Sequence, residues 1–176
     1  MISLKDIIKH KSVPLFTPKW LKRITYFTPS AVLNSALNQH LNTLFHAQIA
    51  AGELEFLENK CICIDINNLA LSVLVSLEQQ TQKIKVLVLK SAFILQTMGR
   101  YDGKLSGSSD SFLQLIAGKS DPDTLFFRRQ LTIEGDTELC LMFKNWLDTQ
   151  EAEGKLPSLL YADLQHYVDT RHDWIK

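Results

Sequence analysis

Glycine is scarce in this chain: seven residues among 176, none of them clustered. That removes the backbone cradles that hold phosphates, and neither a Walker loop nor a dinucleotide fingerprint occurs. Three cysteines, an odd number, suit a reducing compartment and exclude a disulfide framework. No run of about 18 apolar residues exists to span a bilayer. The first residues carry Asp6, Lys9, His10 and Lys11 in place of an apolar signal core, so a cytoplasmic protein is expected. Net charge is zero, which lacks the basic face that general nucleic-acid binding requires, and no nucleic-acid partner is expected. At 45% hydrophobic, the chain is also too apolar for intrinsic disorder.

The zero balance hides an asymmetry. Residues 1–28 hold Lys5, Lys9, Lys11, Lys19, Lys22 and Arg23 against Asp6, a surplus of +5 that the remaining chain cancels. Pro14 and Pro18 divide this arm into two short helical pieces. Phe16, Trp20, Tyr26 and Phe27 alternate with its cations. Aromatic rings beside ammonium and guanidinium groups suit the headgroup boundary of a membrane, so Phe16, Lys19, Trp20, Lys22 and Arg23 are the expected membrane or partner contacts. A plainer alternative is that Trp20 and Phe27 close the core beside the next helix.

That helix is expected to open at Pro29, with Thr28 as its N-cap and a stripe of Leu33, Leu37, Leu41, Leu44, Phe45 and Ile49, and to stop at Gly52. From residue 60 the period changes to two. Ile62, Ile64 and Ile66 share one face against Cys61, Cys63 and Asp65. Leu71, Val73, Val75 and Leu77 oppose Ser72 and Ser76, and Ile84, Val86 and Val88 oppose Lys83 and Lys85. Short polar connectors make these antiparallel strands with one face buried. A short strand is expected at Lys104–Ser106, then a helix over Ser111–Ala117. A second helix is capped by Asp121-Pro122, and a strand contains Leu131 and Ile133. Asp136 caps a helix bearing Leu139, Met142, Phe143, Trp146 and Leu147. A final helix carries Leu160, Leu164, Tyr167 and Val168. Strands followed by helices indicate an α+β fold. The chain divides into a basic aromatic arm (1–28), a domain (29–150) and a C-terminal helix (151–176).

Catalytic signals are thin. His10, His40, His46, His166 and His172 show no ligand spacing, and Cys61 with Cys63 cannot complete a tetrahedral site, so neither metal nor cofactor is expected. Asp121, Asp123, Glu134, Asp136 and Glu138 fall at helix caps and first turns, where carboxylates belong on structural grounds alone. What the chain does have is apolar surplus: Phe126, Phe127, Ile133, Leu139, Met142, Phe143 and Trp146. An ordinary core accounts for these residues. The alternative is the wall of a cavity for a long apolar ligand, with Arg128 and Arg129 at its rim.

The stretch Asp121-Pro122-Asp123-Thr124-Leu125-Phe126-Phe127-Arg128-Arg129-Gln130-Leu131-Thr132-Ile133-Glu134-Gly135-Asp136-Thr137-Glu138-Leu139 closely resembles the sterol carrier protein type 2 family, and within it the bacterial accessory factors of ubiquinone biosynthesis. Gly52-Glu53-Leu54-Glu55-Phe56-Leu57-Glu58 supports the same match. The resemblance implies a mainly antiparallel five-stranded sheet covered by helices, with an apolar tunnel. It implies a non-enzymatic role in which the seven apolar residues above hold isoprenoid quinone precursors, or a phospholipid, for ring-modifying enzymes. Partners implied are ubiquinone-pathway proteins, including a peptidase-family iron–sulfur pair of the oxygen-independent route, and a transient contact with the inner face of the membrane. A cargo-free scaffold and a small enzyme with an unrecognised site are the alternatives.

Overall fold

The computed structural model describes residues 17–90, 100–150, 155 and 158–172. Phe16, Pro14 and the side chain of Leu160 lie outside them. The first described element is α1 (Pro18–Phe27), opened by proline at its first position and by Thr17, whose hydroxyl accepts from the amide of Trp20. Thr28 and Pro29 are extended and separate it from α2 (Ser30–Leu44). Pro29 therefore occupies the N-cap position itself, and Thr28 ends α1 instead of capping α2. The chain re-forms as α3 (His46–Ala50) after a break at Phe45, and Gly52 turns it at φ +77°.

Strands β1 (Cys61–Ile66), β2 (Leu71–Glu78) and β3 (Lys83–Leu89) follow as consecutive antiparallel neighbours. β4 (Gly103–Gly107) returns beside β1 in parallel, with α4 (Ser109–Ile116) after it. α5 (Pro122–Phe127) leads into β5 (Leu131–Gly135), antiparallel to β4. α6 (Thr137–Asp148) and α7 (Ser158–His172) complete the described chain. The sheet order is β3-β2-β1-β4-β5. It is a mixed sheet with one parallel pair, where alternation alone gave an antiparallel one. Period-two patterning reports which face a residue takes; it is silent on strand direction.

The helix-covered face carries the main core: Ile62, Val75, Leu77, Ile84, Val86, Val88 and Leu105 pack against Leu54, Leu57, Leu139, Cys140 and Phe143. The opposite face is not simply polar. Cys63, Leu74 and Leu89 form a small buried cluster with Cys61 and Tyr101, so β1 and β2 are covered on both sides. A third cluster joins α4 to α7 through Leu113, Ala117, Leu164, Tyr167 and Val168. From α1 it is Leu21 that packs against the clusters, while Trp20 (43% exposed) and Phe27 (72%) face outward.

At the outer edge, β3 would leave the backbone groups of Ile84, Val86 and Val88 unpaired. Three asparagines of α2 supply the partners. The amides of Val88, Val86 and Ile84 donate to Oδ1 of Asn34, Asn38 and Asn42 at 2.7, 2.8 and 2.8 Å. Nδ2 of Asn38 and of Asn42 donates back to the carbonyls of Val86 and Ile84 at 2.9 and 2.8 Å. Four helical residues rise about 6.0 Å and two strand residues about 6.8 Å, so side chains at i, i+4 and i+8 keep step with alternate strand residues. Replacing Asn38 with alanine strands both groups of Val86. We expect a loss of about 2 kcal/mol in urea unfolding, and self-association in size-exclusion chromatography as the edge becomes available.

Candidate apolar ligand site

The two ends of the sheet differ. At the end where β1 begins, Asp136 caps α6 by accepting from the amide of Leu139 (3.0 Å) and pairs with Lys60 at 3.2 Å. These contacts, the amide first, hold its carboxyl below its usual range. Gly103 lets the first turn of α6 rest on β4, since a Cβ there would lie 2.5 Å from Sγ of Cys140. α6 then crosses this end. Trp146 stacks edge-on to Phe45 (4.9 Å), lies 6.0 Å from Phe143, and donates through Nε1 to Glu53 at 3.2 Å. Leu54 and Leu57, both 1% exposed, complete the closure.

Toward the end where β1 finishes burial is uneven: Leu69, Leu71 and Val88 are buried. Ile64, Ile66 and Val73 occupy central strands on the helix-covered face, Ile64 directly opposite Val73, yet each is only half-buried. Leu21 of α1, Leu33 and Leu37 of α2, and Phe126 of α5 are likewise half-buried against the same core. Apolar side chains in the middle strands of a five-stranded sheet belong under a full helix layer. Partial exposure there marks apolar surface without complete cover. Ile64, Ile66, Val73, Leu33 and Leu37 escape notice as candidate site residues in the sequence because their alternation and helical stripe read as ordinary core.

Of the seven residues expected to bind lipid, the structure brings five to one cluster. Leu139 and Phe143 are buried in it, and Phe126, Ile133 and Trp146 pack against it half-buried. Phe127 (89% exposed) and Met142 (40%) stand on the surface. Among the described residues, three surface hollows of about 610, 460 and 430 Å³ are lined by other side chains. Lys19, Lys22 and Arg23 are exposed along α1 beside Trp20 and Ile24. Arg128 and Arg129 are exposed too.

Burial, followed by the nearby Asp65 carboxylate, pushes the Cys63 thiol up to about 12, and burial likewise raises Cys61 and Cys140. Neutral thiols are poor nucleophiles and poor metal ligands. Among the described residues no group of three histidine, cysteine or acidic side chains gathers to hold a metal, and no helix is long and apolar enough to cross a membrane.

Helices laid over one face of a mixed five-stranded sheet, with half-buried apolar side chains in its central strands, give an α+β domain. The chain belongs to the SCP-2 sterol transfer family, whose model matches residues 37–148. It is 34% identical over 152 residues to the ubiquinone biosynthesis accessory factor UbiT of Escherichia coli K12, covering 86% of this chain and 80% of that one. A protein of the same name from Escherichia coli O157:H7 matches equally. Among solved structures, UbiJ-SCP2 ubiquinone synthesis protein shares the fold with a TM-score of 0.53 at 15% identity, over 69% of this chain and 93% of that one. The family is one of carriers, not of catalysts.

The raised thiols have a consequence for stability. Their folded-state pKa values lie above the unfolded value, so on raising the pH the unfolded chain releases these protons first, from about pH 8.5. Their contribution is complete below that point and is lost as pH rises toward the folded values. Lys104, raised chiefly by its hydrogen bond to Glu134, adds loss in the same direction higher up. Thermal midpoints should fall between neutral and alkaline pH, and less steeply in a variant with all three cysteines replaced by alanine.

Proposed function

We propose that this chain is a non-enzymatic accessory factor of ubiquinone biosynthesis that covers the isoprenoid tail of quinone intermediates while ring-modifying enzymes work on the head. The observation that carries this reading is the half-buried apolar set Ile64, Ile66 and Val73 in the centre of the sheet. The role named for the UbiT relative supports the pathway. Phe126, Ile133 and Trp146 form the wall that continues this surface, with the buried Leu139 and Phe143 behind it and Met142 as its outermost member. Each methylene removed from water contributes about 0.8 kcal/mol, so a polyprenyl tail stays in an apolar phase unless a protein covers it. An apolar surface within the fold supplies that cover, and a tunnel would extend it over the length of the tail.

A carrier must also collect and release at a membrane. The composition of α1 suits such contact. Trp20, Ile24 and Phe27 form one exposed apolar stripe beside Lys19, Lys22 and Arg23, with no acidic residue in the helix. Such a helix lies in the headgroup layer of the inner membrane face without spanning it. Pathway enzymes are the protein partners of this reading. A peptidase-family iron–sulfur pair is the partner in its oxygen-independent form, which rests on the family resemblance alone.

Native mass spectrometry and solvent extraction of the purified protein test the cargo. Recovery of an isoprenoid quinone or its precursor supports the carrier; recovery of phospholipid alone changes the cargo, and recovery of no lipid favours a scaffold. Two substitutions separate wall from core. Phe126→Asp, at a half-buried position, is expected to leave the protein folded and to strip retained lipid. Phe143→Asp, at a position 4% exposed, is expected to unfold it, because an unpaired buried charge is strongly destabilising. A folded Phe126→Asp protein that keeps its lipid removes Phe126 from the wall.

A further inference from the structure

We infer that the turn Phe127-Arg128-Arg129 is a second membrane contact, and that with α1 it seats the open end of the sheet on an anionic bilayer. Phe127 is 89% exposed, which fits a ring placed in a headgroup layer better than a ring lining an interior. The turn that presents it is anchored. Arg129 and Gln130 donate their amides to the carbonyls of Phe126 and Leu125, both at 2.9 Å, and Leu125 is 1% exposed. Arg129 takes the left-handed conformation at φ 57°, which reverses the chain after α5 and leaves Phe127, Arg128 and Arg129 all facing solvent.

The strand register places this turn with α1. β5 begins at Leu131, opposite Gly107 at the end of β4, which lies opposite Ile66 at the end of β1. The 3-10 turn Asn67–Leu69 that follows Ile66 is the segment α1 rests on. At the same end Lys90, just past β3, donates to the carbonyl of Thr28 where α1 stops. Two strand spacings, about 10 Å, separate the ends of β1 and β5 beside which the two contacts lie.

Charge is sorted in the same sense. Exposed Lys19, Lys22, Arg23, Arg128 and Arg129 gather at this end. The carboxylates of α5 are engaged, Asp121 in capping Thr124 and Asp123 in pairing with Lys144. At the opposite end Glu53, Glu58, Glu78 and Asp136 stand among Lys60, Lys83, Lys85 and Lys104, with Lys60 and Lys85 paired to Asp136 and Glu78. An anionic surface thus orients the molecule open end down, so a tail passes between bilayer and protein without crossing water. This orientation extends the docking proposed for α1 and rests on it.

Flotation of the full chain with vesicles of phosphatidylcholine, and of phosphatidylcholine with phosphatidylglycerol, tests it at low and high salt. The wild type is expected to bind the anionic vesicles in a salt-sensitive way. Phe127→Ser should lower the partition coefficient about tenfold, and Arg128→Gln with Arg129→Asn about 25-fold. Asparagine is chosen at 129 because it tolerates positive φ. Lipid extracted from the Phe127→Ser protein without vesicles should match the wild type. If both turn variants bind as the wild type while Lys19→Gln, Lys22→Gln and Arg23→Gln together abolish binding, docking belongs to α1 alone and the inference is overturned. If the wild type ignores the anionic vesicles, the docking of α1 falls with it. A Phe127→Ser protein that docks normally but has lost its lipid assigns the ring to the cargo wall and likewise overturns the inference.

Discussion

The asparagine row of α2 is the contact on which the architecture turns. An edge strand exposes a line of amides and carbonyls, and sealing it with another strand would extend the sheet without end. Here Asn34, Asn38 and Asn42 seal it with side chains, at the near-match between one helical turn and two strand residues. The same bonds lock α2 alongside β3, and that fixes where Leu33, Leu37 and Leu41 point. A helix tied to the edge cannot slide across the middle of the sheet. The apolar floor of β1 and β2 is therefore left to other elements to cover.

Those elements cover it unequally. α6 is pinned at one end by the Asp136 cap, the Lys60 pair and the close approach to Gly103, and Trp146 completes the seal against Phe45 and Glu53. At the other end the chain supplies α1 and the turn after α5, both rich in exposed aromatic and cationic side chains. The proposed docking uses that difference to turn one end of the sheet toward a bilayer. Cys63 and Cys140 fill space in the core, and burial raises their thiols.

Burial also varies among the apolar residues. Residues whose removal collapses the fold, such as Leu54, Leu57, Leu139 and Phe143, lie toward the closed end. Residues with apolar surface to spare lie at both, Ile64, Ile66, Val73 and Phe126 toward the open one and Phe45, Phe56 and Trp146 toward the closed one. A domain of this size has ample core to keep the first group intact while the second stays partly uncovered.

Periodicity and capping chemistry were enough to find the α+β class, each of the five strands and the caps at Asp121 and Asp136, because each depends on neighbours within a few residues. The motif over 121–139 carried the family. Strand direction was not legible: β4 runs parallel to β1 because of the path the chain takes between them, and no alternation records a path. The asparagine row escaped notice because asparagines in a helix read as polar surface until the strand they serve is beside them. Nor could the sequence separate Phe126, half-buried, from Phe127, 89% exposed, since the two are adjacent and identical in type. Which apolar residue is core, which is wall and which meets solvent depends on where helices end relative to a sheet, and only the folded chain decides that.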